Sequence, residues 1–458
     1  MASPAALGSK ALRASHRRIP RVALQTRGLA APASGSFQYE TGNASGVKYA
    51  GRDIPGATTT LAVVAKAGSR YEPLPGYSDA LEKFAFKSTT KRSALRITRE
   101  AELLGGELSA YHSRESLVLR AKFLREDLPY FTELLGEIIT KTRYATHELN
   151  EEVIHVIKLG QKALLGSPLS LALNSVHGTA FHRGLGQPLN PTSSSPLKYL
   201  DAEGIAQFGD AAYAKDNFAV VANGAAHSEL SKWVGEFFSD VQSSQQKLSS
   251  PASKYYGGEE RIAHGSGNVM ILGFPGSSSF TAGSSYKPEI AVLAALLGGQ
   301  SSIKWSPGFA LLAKAGAEIP NVQISTQHAA YSDAGLLYVT ITGSASSIGK
   351  ASRNVVDTLK KVAAGEIAEE DIKKAVAVAK FKALEAGQQT EAGLEATGSG
   401  LIAGGKAFQI DEVATGIDKV SSEKVKAAAK SLVESKASVA SVGDLFVLPW
   451  AEEIGLKV

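Results

Sequence analysis

The 458-residue sequence contains no cysteine, which excludes disulfides, iron–sulfur ligation, thiolate zinc sites and cysteine nucleophiles together. No apolar run approaches the ~18 residues needed to span a bilayer; the longest, Ile290 to Leu297, suits a core helix. No acidic residue precedes Glu40, while Lys10, Arg13, Arg17, Arg18, Arg21 and Arg27 lie before it. The formal net charge of +5 therefore belongs to this leader, and the rest of the chain is nearly neutral. No basic patch with interleaved aromatics comes after it, so no nucleic-acid partner is expected. The sequence also lacks the phosphate loop G-x-x-x-x-G-K-[ST], the nucleophile elbow G-x-S-x-G, and both H-E-x-x-H and H-x-x-E-H.

The arginine-, serine- and alanine-rich, acid-free start has the composition of a mitochondrial transit peptide. Arg27 two residues before the Leu29–Ala30 bond places the expected cleavage after Leu29, so residues 1–29 form the leader. The remainder of the chain is long enough for two domains, and it repeats internally. Glu151, Glu152 and Ile154 recur as Glu369, Glu370 and Ile372, and Lys162-Ala163-Leu164 as Lys382-Ala383-Leu384. Val220 to Gly224 answers to Val439 to Gly443, and Tyr111 to Tyr331, all at offsets of 218 to 220. One such match is chance; four at nearly one spacing argue for duplication.

Hydrophobic periodicity and end signals place strands at Thr59–Ala65, Leu117–Phe123, Val269–Phe274, Val322–Ser325, Leu336–Thr342 and Ser438–Val442. Helices are expected from Ser93 to Gly105, from Asp127 and Pro129 toward Ile139, and onward from Asn150. The second half should place helices at Glu289–Leu297, Ser347–Ala364 and Ala368–Ala386. Tyr111 should precede the first alternating strand. Paired strands followed by paired helices predict an α+β fold of two tandem homologous domains, residues 30–241 and 261–458, with helices on one side of each sheet. Gln242 to Ser253 is polar, and 242–260 reads as a flexible linker.

Nine histidines are present, none at a zinc-binding spacing. His177 and His182 suit a helix surface or cap, and His147 and His155 suit solvent or ordinary packing rather than a metal. Gly398, Gly400 and Gly404 have no strand before them and read as small residues allowing close helix packing. The glycine at Gly105 suits a helix end.

Three stretches carry a family resemblance: Ala67-Gly68-Ser69-Arg70-Tyr71-Glu72, Asp79 to Lys87, and Glu102 to Gly106 continued by Ala110-Tyr111-His112-Ser113-Arg114-Glu115. Together they resemble the pitrilysin-like (insulinase, M16) metallopeptidases and their mitochondrial relatives. In active members an H-x-x-E-H helix binds zinc, its glutamate activates the metal-bound water, and a distant glutamate is the third ligand. Transferred here, the histidine positions are Asp79 and Lys83, the general base is Glu82, and the third ligand would fall within Ile157 to Gly160, where no carboxylate stands. A lysine ammonium has no lone pair for a metal, so Asp79 and Lys83 are expected to form an i, i+4 ion pair. The resemblance thus implies a degenerate site with no metal, no catalysis and no cofactor. Arg70 and Tyr71 are then plain scaffold.

Two noncatalytic mitochondrial branches of the family come into question. A presequence-binding alpha subunit of the processing peptidase would carry a glycine-rich loop, but Leu296 to Gly308 retains only Gly298 and Gly299 as a pair, with Trp305 and Pro307 stiffening it. Arg96 to Glu100, Phe123 to Phe131, Ile303 to Gly308 and Gly443 to Trp450 instead resemble the core subunits of the respiratory cytochrome bc1 complex. That likeness implies a structural role on the matrix side of the inner membrane. Its implied partners are core protein 1, cytochrome b, cytochrome c1, the Rieske iron–sulfur protein and small subunits, with a presequence peptide in the core cavity as a further ligand.

Overall fold

The computed structural model describes residues 38–193, 196–243, 248–281, 285–300, 308–389 and 391–458. The expected leader lies outside them, as do Trp305 and Pro307. The strands are β1 (Glu40–Ala44), β2 (Val47–Arg52), β3 (Thr58–Ala65), β4 (Glu107–His112), β5 (Leu117–Leu124) and β6 (Phe218–Asn223) in the first half. The second half has β7 (Gly258–Ala263), β8 (Asn268–Pro275), β9 (Val322–Ala330), β10 (Gly335–Gly343) and β11 (Ser438–Gly443).

One sheet has the order β1-β2-β6-β3-β5-β4 and the other β7-β11-β8-β10-β9. Without the edge strand β1, the two orders correspond strand for strand. The directions correspond too: only β2 with β6 and β7 with β11 run parallel, and every other ladder is antiparallel. The duplication read from four short matches is therefore a duplication of topology.

Helices track the sequence closely where a cap marks them. Ser93 accepts from the Arg96 amide and opens Ala94–Leu103, Pro129 sits in the first turn of Leu128–Lys141, and Ser344 opens Ala345–Ala364. Asn150 opens nothing: it lies inside a π-helical segment, Leu149–Val153, which joins the turn Thr146–Glu148 to the helix Ile154–Gly166. The chain is already helical ahead of it, since the Leu149 amide donates to the Ala145 carbonyl, so no helix begins at Asn150. Tyr111 precedes β5 as expected, and itself stands within β4.

The expectation of helices on one side of each sheet needs correction. β6 and β11 are buried at every residue, as strands covered on both faces are. The second cover comes from the opposite half. Helix Pro168–Phe181 puts Leu171, Val176 and Phe181 onto Val269, Ile271 and Val442 of the second sheet. Reciprocally, helix Leu394–Ile402 and the segment after it put Leu394, Ala407 and Ile410 onto Ala62, Val64 and Val221 of the first. Each large apolar side chain so buried contributes about 1.5–3 kcal/mol. Gly398 makes the second crossing possible, because a Cβ there would lie 2.5 Å from Val64, and at Gly400 2.5 Å from the Lys406 carbonyl.

Nor do the described residues of the expected linker run free. The Ser253 amide donates to Asp333 Oδ2 at 2.8 Å and the Tyr256 amide to the Ala180 carbonyl at 2.9 Å. β7 begins at Gly258, inside the stretch assigned to the linker. A polar composition reads as flexible until fixed charges on both halves supply hydrogen-bond partners for it.

Candidate functional site

The candidate residues Asp79, Glu82 and Lys83 lie on the helix Tyr77–Phe84, under β4. The helix starts at Gly76, held at φ 104°, a left-handed conformation that suits glycine. No side chain of the helix caps it. Instead Glu72, 7% exposed, reaches back and accepts from the Gly76 and Ser78 amides at 3.1 Å each. Burial pushes the Glu72 carboxyl up to about 7 against these two amides.

Glu82 sits at the centre of an ion cluster. Its Oε1 contacts the Lys83 ammonium, and its Oε2 accepts from the His112 backbone amide at 3.1 Å and contacts His112 Nδ1. The expected Asp79–Lys83 pair exists, but at 3.9 Å it is the longer contact, and Glu82 is the nearer partner of Lys83. Asp79, 1% exposed, accepts from Asn190 Nδ2 at 3.1 Å through Oδ2, while its Oδ1 has no hydrogen-bond partner. The other ring nitrogen of His112, Nε2, lies 2.8 Å from the Leu189 carbonyl. Residues 189 and 190 thus reach both ends of the cluster.

The ligand-type atoms of Asp79, Glu82 and His112 lie within 4.8 Å of one another, the one such trio among the described residues. His112 was not among the expected site residues. It stood in the sequence only within the stretch Ala110 to Glu115 that carries the family resemblance, and its pairing with Glu82 depends on how the helix lies under β4.

The donor chemistry does not fit a divalent metal. Both His112 nitrogens face acceptors, a carboxylate and a carbonyl, so the imidazolium satisfies the site and leaves no lone pair to donate. Burial would lower the His112 pKa, but the hydrogen bond and charge of Glu82 outweigh it and the net shift is upward. Burial likewise raises Glu82, and His112 and then Lys83 reverse that to hold it below the ordinary carboxylate range. Asp79 is raised by burial. The segment of the expected third ligand offers only buried Ile157 and exposed Lys158, Leu159 and Gly160.

Beside the cluster, residues of the two halves line an open pocket of about 560 Å³, among them Tyr111, Ser113, Glu115, Tyr331, Glu391 and Glu395. Ser113 Oγ and Tyr111 OH donate to Glu395 at 2.7 and 3.2 Å. Arg70 is more than scaffold. Its Nη1 and Nη2 grip Asp333 at 2.7 Å each, Nη1 also pairs with Glu115 at 2.7 Å, and Nη2 donates to the Pro251 carbonyl at 3.2 Å. One guanidinium therefore joins both halves and the connection between them.

His147 and His155 are exposed, the first of the two alternatives, and His182 terminates its helix, stacked 4.1 Å from Tyr256. His177 departs from expectation: it is 5% exposed, with Nδ1 2.7 Å from the Leu173 carbonyl and Nε2 2.8 Å from Tyr331 OH. It belongs to the seam between the halves, which its own helix crosses.

Residues 50–193 match the family described as insulinase (peptidase family M16), and residues 199–378 match the peptidase M16 inactive domain. The chain is 52% identical over 431 residues to the mitochondrial cytochrome b-c1 complex subunit 2 of Neurospora crassa, covering 94% of each. To the protein of the same name in Schizosaccharomyces pombe it is 36% identical over 422 residues, 91% of this chain and 95% of that one. To the mitochondrial-processing peptidase subunit alpha-2 of Dictyostelium discoideum it is 28% identical over 410 residues, 87% and 89% of the two chains.

Proposed function

The chain belongs to the M16 (insulinase) peptidase family, and from that premise we propose that it is a noncatalytic core subunit of the ubiquinol–cytochrome c reductase complex, needed for assembly and stability in mitochondrial electron transport. Likeness to bc1 subunit 2 over nearly the whole chain supports the assembly. The observation that carries the noncatalytic role is the Lys83–Glu82–His112 cluster, in which two side-chain cations stand where a metal would need lone pairs. Asp79, Glu82 and Lys83 are accordingly the remnant of a peptidase site, with no redox, metal or cofactor ligation of the chain's own.

In this role the chain lies peripherally on the matrix face of the inner membrane. Among the described residues no helix is long and apolar enough to cross a membrane, so attachment goes through partners: core protein 1, cytochrome b, cytochrome c1, the Rieske protein and small subunits. Residues 1–29 are the transit peptide, 30–241 and 261–458 the two M16-like domains, and 242–260 their connection.

The acidic cavity favours one other reading, a presequence-binding alpha subunit of the mitochondrial processing peptidase. The cavity carboxylates Glu115, Glu391 and Glu395 also suit retention of a basic presequence inside the respiratory complex. Purifying a tagged chain from mitochondria in mild detergent separates the two assemblies. Stoichiometric recovery of cytochromes b and c1 supports the respiratory subunit; recovery with a soluble metallopeptidase and no haem moves the assignment to the processing peptidase. One zinc per chain in the purified protein would overturn the noncatalytic reading.

A further inference from the structure

The loop after β11 presents apolar side chains to solvent on a rigid frame. Phe446 is fully exposed, Val447 is 50% exposed and Trp450 is 55% exposed. Single exposed apolar residues are common and need no reason. Three within five positions on a braced loop are different.

Arg261 of β7 supplies the brace. Its side chain is 9% exposed and pairs with Glu259 at 3.2 Å. Its guanidinium donates to three loop carbonyls at 2.9 Å each, those of Leu445, Leu448 and Pro449, and lies 4.1 Å from the centre of the Trp450 ring. At the other end Asn268 accepts from the Asp444 amide at 2.8 Å, Asp444 accepts from the Phe446 amide at 3.1 Å, and Glu259 accepts from the Ala451 amide at 3.0 Å. The loop's polar groups are consumed in holding its own shape, so its apolar groups are left in water without an ordering cost still to come. Preorganised aromatic side chains are what the centre of a protein interface requires.

We propose that Phe446, Val447 and Trp450 form a docking knob for an apolar pocket with a basic rim on a neighbouring protein subunit. Charge selects that occupant. Exposed Asp444 stands at one end of the knob and exposed Glu452 and Glu453 at the other, so Lys or Arg around a protein pocket complements it. The knob rests on the reading of the chain as a subunit of a larger complex, and it marks which surface of the chain is covered there.

The test places a photo-crosslinking benzoylphenylalanine at position 446, a site whose exposure lets the fold ignore the change, and irradiates the intact complex. A crosslink to another protein subunit, mapped to an apolar pocket bearing Lys or Arg, supports the knob. A lipid adduct, a crosslink to a second copy of this chain, or no adduct while the chain remains in the complex overturns it. Absence of the chain from the complex sinks the subunit reading, and the knob with it. As a second measurement, Phe446→Asp should weaken association with the rest of the complex by about 30-fold while leaving the melting temperature of the separate chain unchanged; unchanged association refutes the proposal.

Discussion

His177 offers a quantitative test of how the halves are joined. Its neighbours fix the neutral tautomer: Nδ1–H donates to the Leu173 carbonyl, and Nε2 accepts from Tyr331 OH. Burial pushes its pKa down to about 3, and the buried Arg114 guanidinium adds to the effect. The unfolded chain binds a proton at about 6.5, so below that pH unfolding takes up a proton that the folded seam refuses. Stability must therefore fall as pH falls. From pH 7.5 to 5, at about 1.4 kcal/mol per pH unit below 6.5, this one residue removes about 2 kcal/mol.

His177→Gln keeps a donor and an acceptor at the site but cannot titrate. Urea unfolding of the purified chain at pH 7.5 and 5 should show the wild-type midpoint falling further than that of the variant, by an amount equal to about 2 kcal/mol once multiplied by the slope of each transition. Any general loss of stability from the substitution appears at both pH values and cancels in the comparison. Equal pH dependence in the two proteins would mean that the folded imidazole accepts a proton freely, and the account of a dry, cationic seam around Arg114 would be wrong.

Glu82→Gln should cost about 2 kcal/mol at pH 6 and less at pH 8.5. Glu82 raises the folded His112 pKa, so the stabilisation it confers is full below about 6.5 and fades as pH rises through the folded value; chemical denaturation at the two pH values checks both size and sign. Arg70→Met leaves Glu115 without its cation and should destabilise by about 3 kcal/mol. A double-mutant cycle with Asp333→Asn should return a coupling of about 1 kcal/mol or more, and additivity would show that the clasp contributes nothing. Gly398→Ala places a Cβ against Val64 and should cost about 1–3 kcal/mol, read as a lowered thermal midpoint; an unchanged midpoint would mean that helix Leu394–Ile402 does not press on the first sheet.

Legibility in the sequence tracks the range of the interactions involved. β3 and β10 announce themselves by local β-branched and apolar pattern, and Ser93 by capping chemistry that acts over three residues; the cap at Ser344 was missed, and the helix it opens begins two residues before the expected Ser347. That Asp79 and Lys83 stand at the positions of the H-x-x-E-H spacing was legible as well, because that spacing is local. The partners that surround them were not. His112 meets Glu82 across 30 positions, Asn190 meets Asp79 across 111, and Arg70 meets Asp333 across 263; no periodicity encodes such pairs. The helix Pro168–Phe181 was harder still, since its apolar stripe states that a sheet is covered but not which one. The unbroken burial of β6, apolar from Phe218 through Ala222, did carry the hint that both faces are occupied.

The exchange of helices also bears on why a peptidase framework suits structural work. Each sheet has one face covered by helices of its own half and one completed by the other half, with Val64 and Val221 on the first sheet and Ile271 and Val442 on the second lying in those shared cores. Separating the halves would expose both apolar faces at once, in addition to breaking the Arg70 clasp, so the connection between 242 and 260 does not decide how firmly they are held. Lys83 and His112 supply from within the chain positive charge beside Glu82, under β4. The framework keeps its pocket and its outer surfaces, and in the proposed assembly those surfaces, the braced loop at Phe446 among them, are what the molecule offers to its partners.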